Sequence, residues 1–364
     1  MIARSRALVA GGAVAAVALV VGVAVAVTGG DDETAATTTT TSTTTTTTTT
    51  QPVTTTTQPP TGPIAPLTGL RLGEGAPVGR PALAVKIDNL DAPGESALPQ
   101  AGLSRADVVF EEIVEGNITR LVAVFHSRDP GRVGPVRSAR TTDVHLLPQL
   151  GRPLLAWSGG NEGVTAAVRS SGTIVDLGWD ARPGAYARDR SRPAPHNLFA
   201  DGNALYASAP ADAGPPPAPF SFRQPGQPLQ HGANPSAGVD LSWGGGGITA
   251  PVSWTWDEQL RLYRRQQRGR PHVDEDGSPI VAQNVVFLVT DYGRSAADTR
   301  SPEAITVGGG EAFFFTNGAQ IHGRWERSSE GVPAALFADD GAPILLTPGQ
   351  TWVELPRAGT VAPR

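Results

Sequence analysis

The chain has 364 residues, a formal net charge of −5 at pH 7 and no cysteine. This acidic balance argues against a nucleic-acid-binding protein, because such proteins usually present a basic face. Without cysteine, disulfides, thiolate catalysis, cysteine metal sites and a lipid anchor on cysteine are excluded. Lys86 is the only lysine among 29 basic residues, so nearly every cation is a planar guanidinium suited to carboxylate or phosphate.

Residues 1–30 are predicted to form an N-terminal membrane anchor. Arg4 and Arg6 precede an uncharged apolar run over residues 7–30, and about 20 apolar residues are enough to cross a bilayer. The acidic residues after the run favour a cytoplasmic N-terminus and an extracytoplasmic C-terminus. A cleaved signal peptide, with the small residues 24–26 as its cleavage site, is the alternative. We therefore expect a cell-membrane protein, single-pass in the first case, whose folded part is extracytoplasmic.

Residues 31–62 are almost entirely threonine, with a few glutamines and prolines towards the end. Such a segment cannot bury apolar surface and has no hydrophobic periodicity, which predicts a disordered stalk. The same composition is typical of O-glycosylated stalks. We expect this stalk to hold the folded part away from the membrane.

Residues 63–208 are predicted to form an N-terminal α/β layer domain. Two apolar runs separated by Gly116-Asn117 indicate a hairpin, and in its second strand Arg120 is on the face opposite Leu121 and Phe125. The predicted strands cover residues 83–88, 108–114, 118–126, 154–157 and 173–177, and the predicted helices cover residues 97–105, 138–150, 162–169 and 200–207.

Residues 209–219 are rich in proline and alanine and predict a linker. The region after it, residues 220–358, is predicted to be a mainly antiparallel β C-terminal domain, with a strong hairpin signal at Asn317-Gly318. The predicted fold class is therefore α+β, preceded by a membrane helix and a disordered stalk. The predicted strands of the second domain cover residues 252–256, 260–264, 280–290, 312–316, 320–325, 344–346 and 352–355.

The hairpin and the segment after it carry far more charge than a half-buried hairpin requires. The segment 134–137 leads into the predicted helix at 138–150, and backbone N–H groups at a helix N-terminus attract anions. Converging arginines suit phosphate, pyrophosphate or carboxylate, and nearby acids could hold a divalent ion or act as a base. The candidate cluster consists of Asp88, Asn89, Asp107, Glu111, Glu115, Arg120, Arg137 and Arg140.

Within this cluster, Arg120, Arg137 and Arg140 are predicted to hold the anionic group. Asp88 and Asp107 could hold an optional Mg²⁺, and Glu111 or Glu115 could carry a proton. The alternative is that these charges form an internal salt-bridge network that fixes the hairpin to its neighbouring helix.

Two further groups are weaker candidates. His196-Asn197 follows Pro-Ala-Pro in a stiff loop near Arg192, which suits a positioned catalytic acid or base, or a metal ligand, at His196 and a ligand-binding residue at Asn197. The alternative is a histidine hydrogen-bonded to the backbone. His272 and Asp274 have strand spacing and share one face, but a pair without a third ligand is weak evidence for a metal. Trp325 and Trp352 could stack on sugar rings, although tryptophans are more often part of the core. Neither a nucleophile elbow nor a zinc-peptidase motif occurs in the sequence.

Several motifs follow one another in a fixed order along the chain. They are RPALAVKIDN (80–89), AGLSRADVVFEEIVEGNITRLVAVF (101–125), VGPVRSAR (133–140), RPAPHNLF (192–199), RGRPHVD (268–274), NVVFL (284–288), NGAQIHGRWER (317–327) and TPGQTWVEL (347–355). Together these motifs resemble the YerB family of bacterial surface lipoproteins, and the resemblance extends over nearly everything from residue 66 to residue 355. It implies N- and C-terminal domains and a surface location but no reaction. The chain departs from the lipoprotein pattern because it has no cysteine, and a membrane helix with a threonine stalk takes the place of the lipid.

The order of features is also similar to that of the LytR–CpsA–Psr cell-wall ligases. The likeness to these ligases implies arginines and aspartates that bind a polyprenyl pyrophosphate and Mg²⁺. The Arg-Asp pair of that family is replaced here by Arg140-Thr141, with Asp143 two residues later.

Two functions follow as expectations. The first is an envelope protein that binds an anionic ligand, such as a phosphorylated glycan or a lipid-linked precursor, with transfer of that ligand as an open alternative. It requires the three arginines to open into one solvent-accessible pocket. The second is a non-catalytic scaffold that binds peptidoglycan or another protein. It predicts internally paired arginines and an exposed aromatic patch around Trp325 and Trp352.

Overall fold

The computed structural model describes residues 61–244 and 248–364. The predicted membrane anchor, and all but the last two residues of the predicted stalk, lie outside this range. No helix within the described ranges is long and apolar enough to cross a membrane.

The described part of the chain is mostly β, with few and short helices. Its α-helices are α1 (Thr141–Leu146), α2 (Glu162–Ser170) and α3 (Gly202–Tyr206), and its 3₁₀ turns are Leu103–Arg105, Glu115–Asn117, Leu147–Leu150 and Pro183–Ala185. The first strands are β1 (Leu83–Asp88), β2 (Asp91–Ala92), β3 (Glu95–Ser96), β4 (Val108–Ile113), β5 (Thr119–Phe125), β6 (Arg132–Val133), β7 (Leu154–Ala156), β8 (Val175–Asp176), β9 (Tyr186–Arg188) and β10 (Leu198–Asp201).

The remaining strands follow the segment 209–219, which contains turns and irregular chain. They are β11 (Ser221–Phe222), β12 (Asn234–Pro235), β13 (Gly238–Leu241), β14 (Val252–Asp257), β15 (Leu262–Gln267), β16 (Arg270–Pro271), β17 (Val281–Ala282), β18 (Asn284–Leu288), β19 (Tyr292–Arg294), β20 (Pro302–Ala304), β21 (Gly308–Thr316), β22 (Ala319–Arg327), β23 (Ala335–Ala338), β24 (Leu345–Leu346), β25 (Thr351–Glu354) and β26 (Val361–Pro363).

A large mixed sheet joins strands from both halves of the described chain. Its order is β12-β22-β21-β18-β25-β4-β5-β1-β7-β8, with β23 beside β22. Strand β25, close to the C-terminus, runs parallel to both β18 and β4 and therefore connects the two predicted domains. The division at residues 209–219 stays a prediction, but the backbone hydrogen bonds of the sheet continue across it.

A second sheet, in the order β16-β15-β14-β13-β26 with β17 beside β15, packs on one face of the large sheet. The apolar core between the two sheets includes Leu121 and Phe125 from β5 and Trp254 and Tyr263 from the second sheet. The core on the opposite face includes Val122, and it is covered by α1 and α2. The molecule therefore has a helical layer, the large sheet and the second sheet, in that order.

Charged residues interrupt the apolar pattern of the central strands. All six residues of β1 are buried, as expected for a strand between two neighbours with both faces covered. Lys86 and Asp88 share the helical-layer face with Arg120 of β5, because alternate side chains of a strand point the same way. This confirms that Arg120 lies opposite Leu121 and Phe125. A buried charge needs an opposite charge or a hydrogen-bonding group beside it, so these side chains hold the surrounding loops in place.

Two predicted helices are shorter than the sequence indicated. The helix predicted at 138–150 is α1 followed by a 3₁₀ turn, because the residues before Thr141 are extended and Arg137 N–H donates to the Lys86 carbonyl at 2.8 Å. The helix predicted at 97–105 is wrong except for the 3₁₀ turn Leu103–Arg105. There the backbone bridges to neighbouring segments instead, with Ala101 N–H donating to the Gly134 carbonyl at 2.8 Å.

Candidate anion-binding site

The candidate site lies where the parallel strands β1 and β7 end. The chain leaves β7 through Ser158–Gly159–Gly160–Asn161, and Asn161 caps α2 by accepting the Val164 N–H at 2.8 Å. The 3₁₀ turn between β4 and β5 and the extended segment before α1 reach the same edge of the sheet. Carboxyl ends of parallel strands commonly frame ligand sites in α/β sheets.

Asp88, at the end of β1, forms a buried chain of charges. Its carboxylate accepts from His196 Nδ1 at 2.7 Å, and His196 Nε2 lies 2.9 Å from Glu95. Burial alone would raise the pKa of Asp88, but the His196 hydrogen bond and the Arg137 charge lower it below its usual value. The hydrogen bond to Asp88 raises the pKa of His196, against a smaller opposing effect of burial. His196 therefore bridges two carboxylates, those of Asp88 and Glu95.

The three predicted arginines do come close together. Arg120 is 5% exposed and donates to the Ser138 carbonyl at 2.9 Å. Burial, together with the neighbouring charges of Arg140 and Arg137, lowers the pKa of Arg120 to about 10. Arg137 Nε forms an ion pair with Asp88 at 2.9 Å, without the alignment of a hydrogen bond. Its two terminal nitrogens donate to no residue in the described ranges.

Glu115 binds Arg140 across the turn between β4 and β5. Arg140 Nε donates to Glu115 Oε1 at 2.6 Å, its Nη2 donates to the other oxygen, and the Ser301 hydroxyl also donates to this carboxylate. Burial would raise the pKa of Glu115, but these bonds lower it to about 2. Glu115 is therefore ionised and fully engaged, which does not suit the predicted role of proton carrier.

Two open clefts flank Glu115 and share both it and Arg300. The polar cleft has a volume of about 720 Å³, and the arginine cleft has a volume of about 530 Å³. The polar cleft is lined by Glu115, Ser138, Arg140, Ser158, Gly159, Gly160, Asn161, Thr165, Asp180, Asp298 and Arg300. The arginine cleft is lined by Ile113, Val114, Glu115, Gly116, Asn117, Tyr292, Gly293, Arg294, Thr299, Arg300, Ser301, Pro302 and Arg357.

The arginine cleft contains three arginines that the sequence did not single out. Arg357 lies 4.8 Å above the Tyr292 ring and donates to Asn117 Oδ1 at 2.9 Å, so its position is fixed. The Arg300 side chain is 86% exposed, and within residues 61–244 and 248–364 its one ion pair is with Asp298, two residues earlier. Arg294 is exposed and forms no ion pair within the described part of the chain. These arginines lie far along the chain in segments without a periodic pattern of apolar residues. Their charge was therefore the only sequence signal that could have identified them.

Glu111 was predicted to carry a proton in this cluster, and the structure corrects that placement. Glu111 is on the other face of β4, fully buried, where it accepts from Arg265 at 2.7 Å. It also accepts from Asn89 Nδ2 at 2.8 Å and from Thr119 at 2.7 Å. Asn89 is 3% exposed, so this predicted ligand-binding residue belongs to the same interior network.

This interior network extends to the second sheet. His272 accepts from Arg265 at 2.6 Å and contacts Gln100 at 2.8 Å, and burial, followed by the Arg265 charge, lowers its pKa well below 6.5. Burial, and then the charge of Glu111, raise the pKa of Glu354 well above its usual value. These groups join the two sheets and do not reach either cleft.

Asp107 and Asn197 also have structural roles. Asp107 accepts the backbone N–H groups of His126 and Ser127 at 2.6 and 2.7 Å. Asp107 is opposite Phe125 on one side of β5 and Asp88 is opposite Arg120 on the other side, about 17 Å apart along the strand at strand spacing, so the pair predicted to hold Mg²⁺ is not brought together. Asn197 accepts from Arg188 at 2.8 Å.

The metal and aromatic candidates have no place in the clefts. Within residues 61–244 and 248–364, no three His, Asp or Glu side chains are arranged to hold a metal ion. Asp274, predicted to share a face with His272, instead accepts the Ser104 N–H at 2.9 Å. Trp325 and Trp352 are 3% and 0% exposed, so both belong to the core and the predicted aromatic patch is absent from these positions.

Comparison with known proteins gives one consistent relationship. Residues 67–214 match the N-terminal domain, and residues 241–353 the C-terminal domain, of a protein family of unknown function, DUF3048. A Bacillus subtilis (strain 168) protein, named provisionally as the lipoprotein YerB, is 30% identical over 305 residues, which cover 80% of this chain and 85% of the relative. The crystal structure of the YerB protein from Bacillus subtilis superposes with a TM-score of 0.71 at 27% identity, covering 82% of this chain and 99% of that one. These matches, in both domains and over most of the length, show that the chain belongs to the YerB (DUF3048) family.

Proposed function

We propose that the protein is a membrane-associated, extracytoplasmic envelope protein that binds an anionic ligand, such as a phosphorylated glycan or a lipid-linked precursor. The location rests on the apolar segment 7–30 and on a relative whose name describes a lipoprotein. This chain has no cysteine, so a membrane span would replace a lipid anchor.

One observation carries the binding proposal: around the clefts, arginines outnumber the carboxylates that neutralise them. A bidentate guanidinium is the side chain best matched to phosphate, and partly enclosed charges attract more strongly than fully solvated ones. The arginines that line the two clefts are Arg140, Arg294, Arg300 and Arg357, against Glu115, Asp180 and Asp298.

The arginines have two different roles: some hold the turn in place, and others would bind the ligand. Arg120 and Arg140 are held by Ser138 and Glu115, so they shape the turn and contribute their charge to the surroundings. Arg137 pairs with Asp88 and lines neither cleft, whereas Arg294 and Arg300 line the arginine cleft, have nitrogens without protein partners in the described ranges and would contact the ligand directly. This modifies the expectation that Arg120, Arg137 and Arg140 bind the ligand as an equivalent set.

A transfer reaction gains no support from the candidate catalytic residues. Glu111 is enclosed with Arg265, Glu115 is bound to Arg140, and His196 lies between two carboxylates. None of the three is free to take a proton from a ligand in either cleft. We therefore propose binding alone.

Thermal unfolding of the full chain in a mild detergent tests this function. Pyrophosphate and a micellar prenyl pyrophosphate serve as separate probes, so that free phosphate and a lipid headgroup are distinguished. A probe at 100 times its Kd stabilises the fold by about 2.7 kcal/mol. Arg300→Gln should weaken binding about tenfold, through loss of one charged hydrogen bond of about 1.5 kcal/mol.

Arg324→Gln is the matched control, because Arg324 is also exposed and ion-paired two residues away but lies outside the clefts. It should bind both probes as the wild type does. Absence of any shift in the wild type, or an equal loss of binding in both variants, would overturn the proposal.

A further inference from the structure

The two clefts differ in the chemistry of their linings. The arginine cleft contains Arg294, Arg300 and Arg357 against one carboxylate, Glu115, which Arg140 already neutralises. Arg357 is held in place by the Tyr292 ring, while Arg294 and Arg300 are exposed. This cleft is therefore strongly positive and suits a phosphate.

The polar cleft is lined by more carboxylates than arginines and by many groups that can form hydrogen bonds. Its arginines face three carboxylates, so it has no excess of positive charge. Hydroxyls and carboxylates of this kind match the alternating donors and acceptors of sugar hydroxyl groups. The side chains of Ser138, Ser158, Thr165 and Asp180 line this cleft and form no hydrogen bond with another side chain or backbone group in the described ranges.

From this contrast we infer that the ligand is a phosphorylated sugar, with its phosphate in the arginine cleft and its sugar in the polar cleft. The clefts share Glu115 and Arg300, so one molecule can extend into both. Their volumes, about 720 and 530 Å³, are in the range of small-molecule sites. This inference rests on the proposed function and names the ligand class for the same site.

An enclosed site for a lipid tail is not part of this arrangement. The apolar cavity near Phe110, Leu146 and Trp325 has about 20 Å³ of free space, which is room for about one water molecule. A free sugar phosphate and a lipid-linked one would therefore be recognised through the same sugar and phosphate groups.

Calorimetric titration of the full chain in detergent tests the inference. The soluble probes are inorganic phosphate, N-acetylglucosamine and three sugar 1-phosphates, chosen from hexoses and N-acetylhexosamines. The micellar probe is N-acetylglucosamine linked to a prenyl pyrophosphate. At least one sugar phosphate should bind ten times more tightly than phosphate. Thr165→Val with Asp180→Asn should remove that advantage and leave the Kd for phosphate unchanged. Thr173→Val with Asp212→Asn, which are exposed positions outside both clefts, should change neither value.

The outcomes distinguish two claims: that the protein binds a phosphate, and that it also recognises a sugar. Equal Kd values for phosphate and for every sugar phosphate would overturn the sugar inference and leave anion binding intact. If no phosphorylated probe binds, the proposed function fails and the inference fails with it. If the double variant does not fold, Ser158→Ala replaces it, and an unchanged sugar-phosphate Kd in Ser158→Ala would then contradict the inference. Tighter binding of the micellar probe than of its soluble counterpart would identify the lipid-linked form as the source.

Discussion

Lys86 lies fully buried between Glu112 and Asp143, at 2.8 Å from Asp143 Oδ1. Burial raises the pKa of Glu112, and the neighbouring Lys86 charge opposes that change. The triad fixes α1 to β1, because Asp143 also accepts the Arg140 N–H at 2.8 Å. The sequence showed an isolated lysine in an apolar strand, but it could not show which acids would meet it, because Asp143 lies 57 residues later.

Lys86→Met should lower the free energy of unfolding by about 3–5 kcal/mol, since it leaves two carboxylates buried without their cation. Urea denaturation measures this change, and Arg324→Gln, an exposed ion pair, should shift stability by less than about 0.5 kcal/mol. Adding Glu112→Gln to Lys86→Met should recover part of the loss. Equal effects of the buried and exposed substitutions would contradict this account of the triad.

His196 makes part of the stability pH-dependent at the residue scale. The pKa of His196 is raised above 6.5, so its stabilisation is fully present below pH 6.5 and is lost as the pH rises through the folded-state pKa. The charged groups that face His196 are Asp88, Glu95 and Arg137. His196→Gln should therefore cost more stability at pH 6 than at pH 9 in urea denaturation. His231→Gln, whose side chain is 96% exposed, is the control, and a pH-independent cost at His196 would refute the assignment.

At the scale of elements, the strands were predicted well and the helices less well. The predicted strand at residues 83–88 is confirmed as β1, while the predicted strand at 280–290 is divided into β17 and β18. The prediction at 138–150 was too long because residues before α1 pair with β1, an effect of tertiary structure that periodicity does not contain. The hairpin turn at Asn317-Gly318 was predicted from these two residues alone, because Asn-Gly favours a tight hairpin turn, and it connects β21 with β22.

Two glycines illustrate two different reasons for having glycine at a position. One has a backbone conformation that favours glycine, and the other has no room for a side chain. Gly116, in the turn beside the clefts, has a φ of 70° and open space where a Cβ would lie, so Gly116→Ala should cost only about 1 kcal/mol. Gly323 in β22 has room for no side chain, because a Cβ would lie 1.9 Å from the Phe337 carbonyl oxygen of β23. Gly323→Ala should therefore cost about 2–3 kcal/mol or more in urea denaturation. The reverse order of the two costs would contradict this interpretation of the turn and the strand.

At the scale of the whole molecule, the large sheet makes the two sequence regions depend on each other. Strand β25 fills the space between β18 and β4, and Glu111 of β4 meets Arg265 of the second sheet at 2.7 Å. The family domains at 67–214 and 241–353 are therefore joined by backbone pairing and by a buried ion pair. The sequence indicated two regions of different composition but contained no signal for the parallel pairing of β25 with β4.

We expect the full chain to unfold in a single calorimetric transition, and residues 63–208 expressed alone to lack a cooperative transition. The isolated region would expose the edge of β4 and leave Glu111 buried without its arginine. Differential scanning calorimetry of both proteins measures this. Two separate transitions in the full chain, or a cooperative transition in the fragment, would contradict the dependence.

At the candidate site too, the sequence did not predict which residues from distant parts of the chain come together. Arg120, Arg137 and Arg140 follow one another within a short stretch, so their clustering was predictable. Arg294, Arg300 and Arg357 reach the site only through the fold of a distant loop and the C-terminal segment. Without their positions, the sequence predicts the ligand at Arg120, Arg137 and Arg140, whereas the proposed site uses the exposed arginines of the arginine cleft.

Crystals of the full chain in detergent, soaked with tungstate as a heavy phosphate analogue, give the most direct test of the central claim. An anomalous difference map should show the ion within hydrogen-bonding distance of Arg300 and of Arg294 or Arg357, and excess phosphate should displace it. A peak confined to other surfaces, or a peak that persists in the Arg294→Gln and Arg300→Gln double variant, would contradict anion binding in the arginine cleft.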